Sequence, residues 1–146
     1  MTGPVESENP GFKELYLLVF KVMGIRMGID VDEVDEMLEP DQLEGTSYKI
    51  FPLHEKIPFR GGPVLYKSPK VLLLKEVGTD LKSAATGLLI DQPEDILSVS
   101  IDSIHPLPPL LEARNRPAVI WGAALKEGEV ILLIDFYKLL RWPFSY

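Results

Sequence analysis

The 146-residue sequence contains no cysteine and only two histidines. Without cysteine, disulfides and thiolate metal sites are excluded. A zinc or copper site would need His54 and His105 together with distant carboxylates. No apolar run approaches the ~20 residues of a membrane-spanning helix, and the polar, acidic stretch before Gly11 lacks the pattern of a signal peptide. We therefore expect a cytoplasmic protein with no metal, no cofactor and no direct membrane insertion.

Basic side chains are also in the minority. Fifteen Lys and Arg residues face 22 Asp and Glu residues, for a net charge of −7. From Asp30 to Glu44 there are eight acidic side chains and no basic one. Because such a surface repels phosphate backbones, nucleic acid is not expected as a partner. The acidic run is either a solvated face or a patch that meets a basic partner.

Signatures of catalysis are missing as well. No serine lies in a Gly-x-Ser-x-Gly turn. Adjacent acids in the stretch 30–39 would need a desolvated pocket to transfer protons. Arg60-Gly61-Gly62 lacks the Lys-Ser/Thr and the strand-to-helix junction of a phosphate-binding loop. We therefore do not expect an enzyme.

One stretch of the sequence occurs twice. Met27–Leu38 and Thr86–Leu97 align at an offset of 59 positions, which places Gly28 on Gly87. Chance similarity is the alternative, but a repeat of this length usually marks one supersecondary unit used twice. A lobe of about 60 residues is marginally stable alone, so two lobes should share a buried interface.

Strand periodicity extends the repeat on both sides. An apolar strand precedes each copy, with the connecting hairpin three residues longer in the second. Turns are expected at Met23-Gly24 and at Lys126-Glu127-Gly128, and Asp135 is expected to cap a final helix, Phe136–Arg141. The count is nine or ten short strands. The predicted fold class is mainly β, with two fused five-stranded, SH3-like barrel lobes that share a core, and a short C-terminal helix.

Composition predicts the domain boundaries. Polar residues and prolines indicate a disordered tail at 1–12, and a single domain follows at 13–146. Within it we expect a first lobe at about 13–56, a connector rich in Gly and Pro at 57–69, and a second lobe at about 70–146.

Several segments, in order and spacing, are similar to one protein family. The matching segments are Tyr16–Phe20, Gly28–Val31, Thr86–Asp91, Trp121–Ala123 and Val130–Asp135. From about Glu14 to Leu140 the chain resembles the CheW-like coupling proteins of bacterial chemotaxis. That family folds as two small barrels around a shared core, in agreement with the repeat.

The resemblance implies a non-enzymatic adaptor. Such proteins bind the regulatory domain of a histidine kinase and the helical tip of a chemoreceptor, and related contacts between barrels allow self-association. The resemblance places partner contacts at Val34 and Glu36, with Ile29 and Met37 as neighbours.

The sequence departs from the family in its first lobe. In that lobe, members of the family carry an apolar residue followed by Arg-Gly. The arginine of this motif is important for receptor coupling. Here Asp41–Tyr48 is too short to hold it, although a second register would place Phe59-Arg60-Gly61 on that motif. A different class of function also stays open, namely a stand-alone sensory regulator that binds a small ligand in the cleft between the lobes.

Overall fold

The computed structural model describes residues 13–57, 63–75, 86–107 and 119–141. These ranges are built mainly from strands, which are β1 Glu14–Val22, β2 Ile25–Asp30, β3 Val34–Leu38, β4 Lys49–Pro52, β5 Pro69–Leu74, β6 Thr86–Asp91, β7 Pro93–Ser100, β8 Ile104–His105, β9 Ile120–Lys126 and β10 Glu129–Ile134. Two short helices accompany them, α1 Leu53–Lys56 and α2 Phe136–Arg141. Single 3₁₀ turns cover Val31–Glu33, Pro40–Leu43 and Ile101–Ser103.

Two of the hairpins turn through the same two-residue geometry. Met23 and Gly24 have φ of 54° and 78°, and Glu127 and Gly128 repeat those values. Two consecutive positive φ angles fit a type I′ turn, whose twist matches that of the flanking strands. Both turns were predicted from sequence, and both are confirmed.

The strands form two sheets of unequal size. The larger has the order β7-β1-β2-β10-β9-β8 and the smaller the order β3-β5-β6-β4. The prediction of a mainly β, two-lobed fold is confirmed, but the strands divide six and four instead of five and five. Because β3 pairs with β5 and β7 pairs with β1, each sheet takes strands from both halves of the sequence. The lobe boundaries at 56 and 70 stay a prediction.

The internal repeat is visible in the strand order. β7-β1-β2-β10 and β3-β5-β6-β4 follow the same pattern, with Gly28 and Gly87 in the second strand of equivalent hairpins. The hairpin lengths need a correction. Gly28 lies opposite Val19, nine residues earlier, and Gly87 opposite Leu73, fourteen residues earlier, so the second hairpin is five residues longer and not three. The predicted alignment of the two preceding strands was therefore wrong by two residues, because near-continuous apolar strands carry little information on register. An error of two residues leaves every side chain on the same face of the sheet.

A core shared by both sheets is confirmed. Its largest fully buried side chains include Phe20, Met27 and Ile29 from the larger sheet and Leu72 and Leu88 from the smaller. Helix α2 adds three further buried side chains, Phe136, Leu139 and Leu140. As predicted, Asp135 caps this helix, since its carboxylate accepts a hydrogen bond from the Lys138 backbone N–H at 3.0 Å.

The larger sheet also encloses a second buried cluster. Val99 of β7 and Ala124 of β9 meet in it, together with Leu17, Val19, Ile131 and Leu133. Because β7 and β9 are separated by three strands in the sheet order, membership of both in one cluster, together with the hydrogen bond from the Lys126 ammonium of β9 to the Ser98 carbonyl of β7, indicates that the sheet curls back on itself.

The described part of the predicted connector is held by one carboxylate. Asp91, 1% exposed, accepts hydrogen bonds from the backbone N–H groups of Lys67 at 2.9 Å and Ser68 at 2.6 Å. Helix α1, which precedes the connector, was not predicted. The predicted tail at 1–12 and the Arg60-Gly61-Gly62 segment lie outside the described residues.

Candidate partner-binding surface

Strand β3 lies at an end of the four-stranded sheet. One side of it pairs with β5, and none of the other described strands pairs with the opposite side. End strands of this kind present unpaired backbone groups, and proteins often protect them with charge or with a bulge. Strand β3 has both features, because its residues include Asp35 and Glu36 and its register with β5 shifts between Val34 and Glu36.

Local hydrogen bonds fix where β3 begins and ends. Before it, the Asp30 carboxylate accepts from the Asp32 backbone N–H at 2.9 Å and so caps the 3₁₀ turn. The carbonyl of Glu33 accepts from the Lys75 backbone N–H at 2.9 Å, which ties the turn to the end of β5. After it, the Glu39 backbone N–H donates to the Gln42 side chain at 2.7 Å in a capping box. The strand is therefore held at both ends.

The four site residues expected from sequence do not share one environment. Val34 is half-buried and packs against the shared core, Glu36 is exposed, and Met37 is 45% exposed. These three lie together on β3. Ile29 is fully buried at 0% exposure in β2, so its side chain is not available for a surface contact, and we correct its role to packing in the core beneath the surface. The position of Ile29 in an alternating strand, just before the acidic run, did not reveal that its side chain is buried.

The charge around β3 is acidic and sparsely neutralised. Among the described residues, one salt bridge involves the stretch Asp30–Glu44. It joins the Lys70 ammonium to the Glu39 carboxylate at 3.2 Å. Glu33, at the start of this run, has a perturbed pKa, chiefly because it is partly buried. Partial burial, followed by the negative charges of Asp135 and Asp30, raises the pKa of Glu33 to about 7, although the Phe136 backbone N–H donates to it and opposes the shift.

Strand β7 is the counterpart of β3 at an end of the larger sheet. The offset of 59 places Glu36 on Asp95 and Met37 on Ile96, and Ile96 is 55% exposed. The Arg26 guanidinium contacts Glu94 of β7 at 2.8 Å, and the Lys126 ammonium donates to the Ser98 carbonyl at 2.8 Å. Sequence reasoning did not select β7 as a site, although the repeat carried the signal.

The described residues were compared with the requirements of a metal site. No group of three or more potential metal-ligating side chains comes together among them. The ring of His54 instead contacts the Tyr66 hydroxyl at 2.9 Å through Nδ1, while His105 is exposed on the short strand β8. Burial lowers the pKa of Lys56, whose ammonium lies 4.3 Å from the centroid of the Phe51 ring.

A cavity of about 280 Å³ bears on the hypothesis of a small ligand between the lobes. Its lining combines the β1–β2 turn, the connector and the end of β6, and consists of Met23, Gly24, Pro63, Leu65, Lys67, Asp91 and Gln92. The volume is below the usual range for ligand pockets, about 300–1,000 Å³. Its one carboxylate, Asp91, already accepts backbone hydrogen bonds. Two further polar side chains line it, those of Lys67 and Gln92, and the Gln92 amide donates to Asp91 at 3.3 Å.

Comparison with known proteins identifies the family of the chain. No described helix is long and apolar enough to cross a bilayer. No curated protein matches the sequence. Among solved structures, the fold is similar to that of the scaffolding protein TtCheW from Thermoanaerobacter tengcongensis, with a TM-score of 0.64 and 18% identity over 90% of this chain and 95% of that one. The model of the CheW-like domain matches residues 16–144. The chain therefore belongs to the CheW-like domain family.

Proposed function

We propose that this protein is a non-enzymatic, cytoplasmic adaptor of chemotaxis-type signal transduction whose β3 surface binds the regulatory domain of a histidine kinase. Membership of the CheW-like family supports the adaptor role. The observation that supports the site is the exposed Met37 beside half-buried Val34 on an end strand, with carboxylates around them. Apolar anchors inside a polar rim are the usual anatomy of a protein–protein interface.

The chemoreceptor tip is the second candidate partner, and it has less support. The loop that would hold the family arginine, Asp41–Tyr48, contains no arginine and is partly taken up by the 3₁₀ turn Pro40–Leu43. The alternative register at Arg60 lies outside the described residues. We therefore expect the kinase domain to be captured without a receptor, and receptor binding to be the weaker of the two.

Capture by a purified kinase regulatory domain tests the proposed site. An interface of at least ~1,000 Å² is expected, and an arginine at its centre would replace an apolar anchor with a bulky charged side chain that must be desolvated. Val34→Arg should abolish capture, and so should Met37→Arg, in which the replaced side chain is exposed and the core is left intact. The matched control is Val130→Arg, which places the same charge on an exposed valine of β10.

The melting temperature of each variant shows whether it is folded. Capture by folded Val34→Arg and Met37→Arg at the wild-type level would reject the β3 site. Equal loss in all three variants would reject it too, since the effect would not depend on position. A thermal-shift screen of small molecules separates the adaptor from a ligand-binding regulator, because a ligand that saturates the native state raises its melting temperature.

A further inference from the structure

The repeat gives the molecule two related end strands, and each exposes an apolar side chain. β3 and β7 hold the same position in the repeated strand order. Met37 on β3 is 45% exposed, and Ile96 on β7, its counterpart in the repeat, is 55% exposed. In both strands an acidic residue directly precedes the apolar one, Glu36 in β3 and Asp95 in β7. Shape and polarity alone therefore do not distinguish the two edges.

Charge does distinguish them. At β7, two cations approach from other strands of the same sheet, with the Arg26 guanidinium of β2 2.8 Å from Glu94 and the Lys126 ammonium of β9 2.8 Å from the Ser98 carbonyl. Around β3, eight carboxylates occupy fifteen consecutive residues without a basic one. Among the residues that the structure describes, Lys70 alone forms a salt bridge with this run, and it does so at Glu39, just beyond the strand.

A surface with an apolar centre and an acidic rim that the described residues neutralise only at Glu39 selects its partner by charge. Opposite charge accelerates encounter and fixes orientation, and like charge excludes wrong partners. A second copy of this chain, at net charge −7, is disfavoured at β3 for that reason. We infer that β3 binds a partner face carrying an excess of Lys and Arg around an apolar contact, and that β7 lacks this selectivity. This inference rests on the proposed function, because the partner in question is the kinase regulatory domain.

Association kinetics at several salt concentrations test the charge of the partner face. The probe is the purified CheW-like regulatory domain of a histidine kinase from the same organism, immobilised and exposed to the full chain at 50, 150 and 500 mM NaCl. Because salt screens exposed charges, the wild-type association rate constant should fall about tenfold across this range. Glu36→Lys should lower it about three- to tenfold at 50 mM and converge on wild type at 500 mM.

Asp95→Lys is the matched control, since it makes the same change of charge at the equivalent position of β7. It should leave the association rate constant within about twofold of wild type at every salt concentration. Binding that does not depend on salt, or that falls equally in Glu36→Lys and Asp95→Lys, would overturn the inference while leaving the adaptor function standing. If wild type fails to bind at any salt concentration, both the inference and the proposed kinase partner are overturned.

Discussion

Glu33 should make the stability of this protein depend on pH near neutrality. Its side chain lies where the 3₁₀ turn before β3 meets the start of α2. Burial is the largest cause of its raised pKa, and the charges of Asp135 and Asp30 add to it, against a hydrogen bond from the Phe136 backbone N–H. The result is a carboxyl group with a pKa of about 7, compared with an ordinary value of 4.5.

The direction of the effect follows from proton linkage. Between pH 4.5 and pH 7 the folded protein keeps a proton on Glu33 that the unfolded chain releases. The folded state therefore binds more protons, and the contribution of Glu33 to stability falls as pH rises through this window. Each pKa unit corresponds to 1.36 kcal/mol. Because the side chain is only half-buried and solvent screens its charge, we expect less than the free energy that the full pKa shift would give. Above pH 7, Glu33 should lower the free energy of unfolding by about 1–2 kcal/mol.

Glu33→Gln removes the charge and keeps an oxygen that can accept from the Phe136 N–H. At pH 5 its free energy of unfolding should be close to that of wild type, because pH 5 lies only just above the ordinary pKa of 4.5 and little of the linkage cost has accumulated. At pH 8 the variant should be more stable by about 1–2 kcal/mol, with a melting temperature higher by about 2–8 °C. Urea unfolding at pH 5, 6, 7 and 8 measures the difference.

Glu36→Gln is the control for the loss of a negative charge, because Glu36 lies three residues further along and is exposed. Its free energy of unfolding should stay within about 0.5 kcal/mol of wild type at each pH. The reasoning fails if Glu33→Gln differs from wild type by the same amount at pH 5 and pH 8, or if the variant is the less stable protein at pH 8.

Two further predictions concern the repeat and the connector. An alanine Cβ at Gly87 would lie 2.8 Å from the Leu72 carbonyl oxygen, whereas at Gly28 it would meet only side-chain atoms, at 3.2 Å or more. Gly87→Ala should therefore lower the free energy of unfolding by more than about 2 kcal/mol, and Gly28→Ala should lower it by about 1 kcal/mol. Urea unfolding that gives the opposite order would contradict this packing. Asp91→Asn should lower the free energy of unfolding by about 1–3 kcal/mol, because an amide oxygen replaces the charged acceptor of backbone N–H groups. The same variant should be cut faster by protease in the stretch 63–68, and an unchanged cleavage rate would show that Asp91 does not hold it.

The features of the fold that depend on local sequence could be predicted. Turn residues that tolerate positive φ marked the hairpins, alternating apolar residues marked the strands, and Asp135 marked the start of α2. The repeat then predicted a shared core, because neither half could bury enough apolar surface alone. The pairing of β3 with β5 and of β7 with β1 joins residues far apart in the sequence, and no periodicity in either strand encodes it.

The candidate surface was predicted only in part, for the same reason. Three of the predicted residues lie within four positions of the sequence, namely Val34, Glu36 and Met37. A prediction for one of them therefore extends to its neighbours. Whether Ile29 is exposed depends on what covers the face of β2, and the covering residues come from the other sheet. The neutralisation of β7 is equally non-local, since Arg26 and Glu94 are 68 residues apart in the sequence.

The unequal sheets explain why two equivalent strands present different surfaces. The larger sheet continues beyond β10 into β9 and β8, and its curl brings β9 back to β7, where Val99 and Ala124 share a buried cluster. That curl is what places the Lys126 ammonium on the Ser98 carbonyl. In the smaller sheet β4, the counterpart of β10, is the last strand, so no described strand returns to cover β3 in the same way. Among the described strands, the edge at β3 thus receives no such contact because of the strand count, and a duplicated unit acquires one edge that stays acidic and another, at β7, that receives cations from its own sheet.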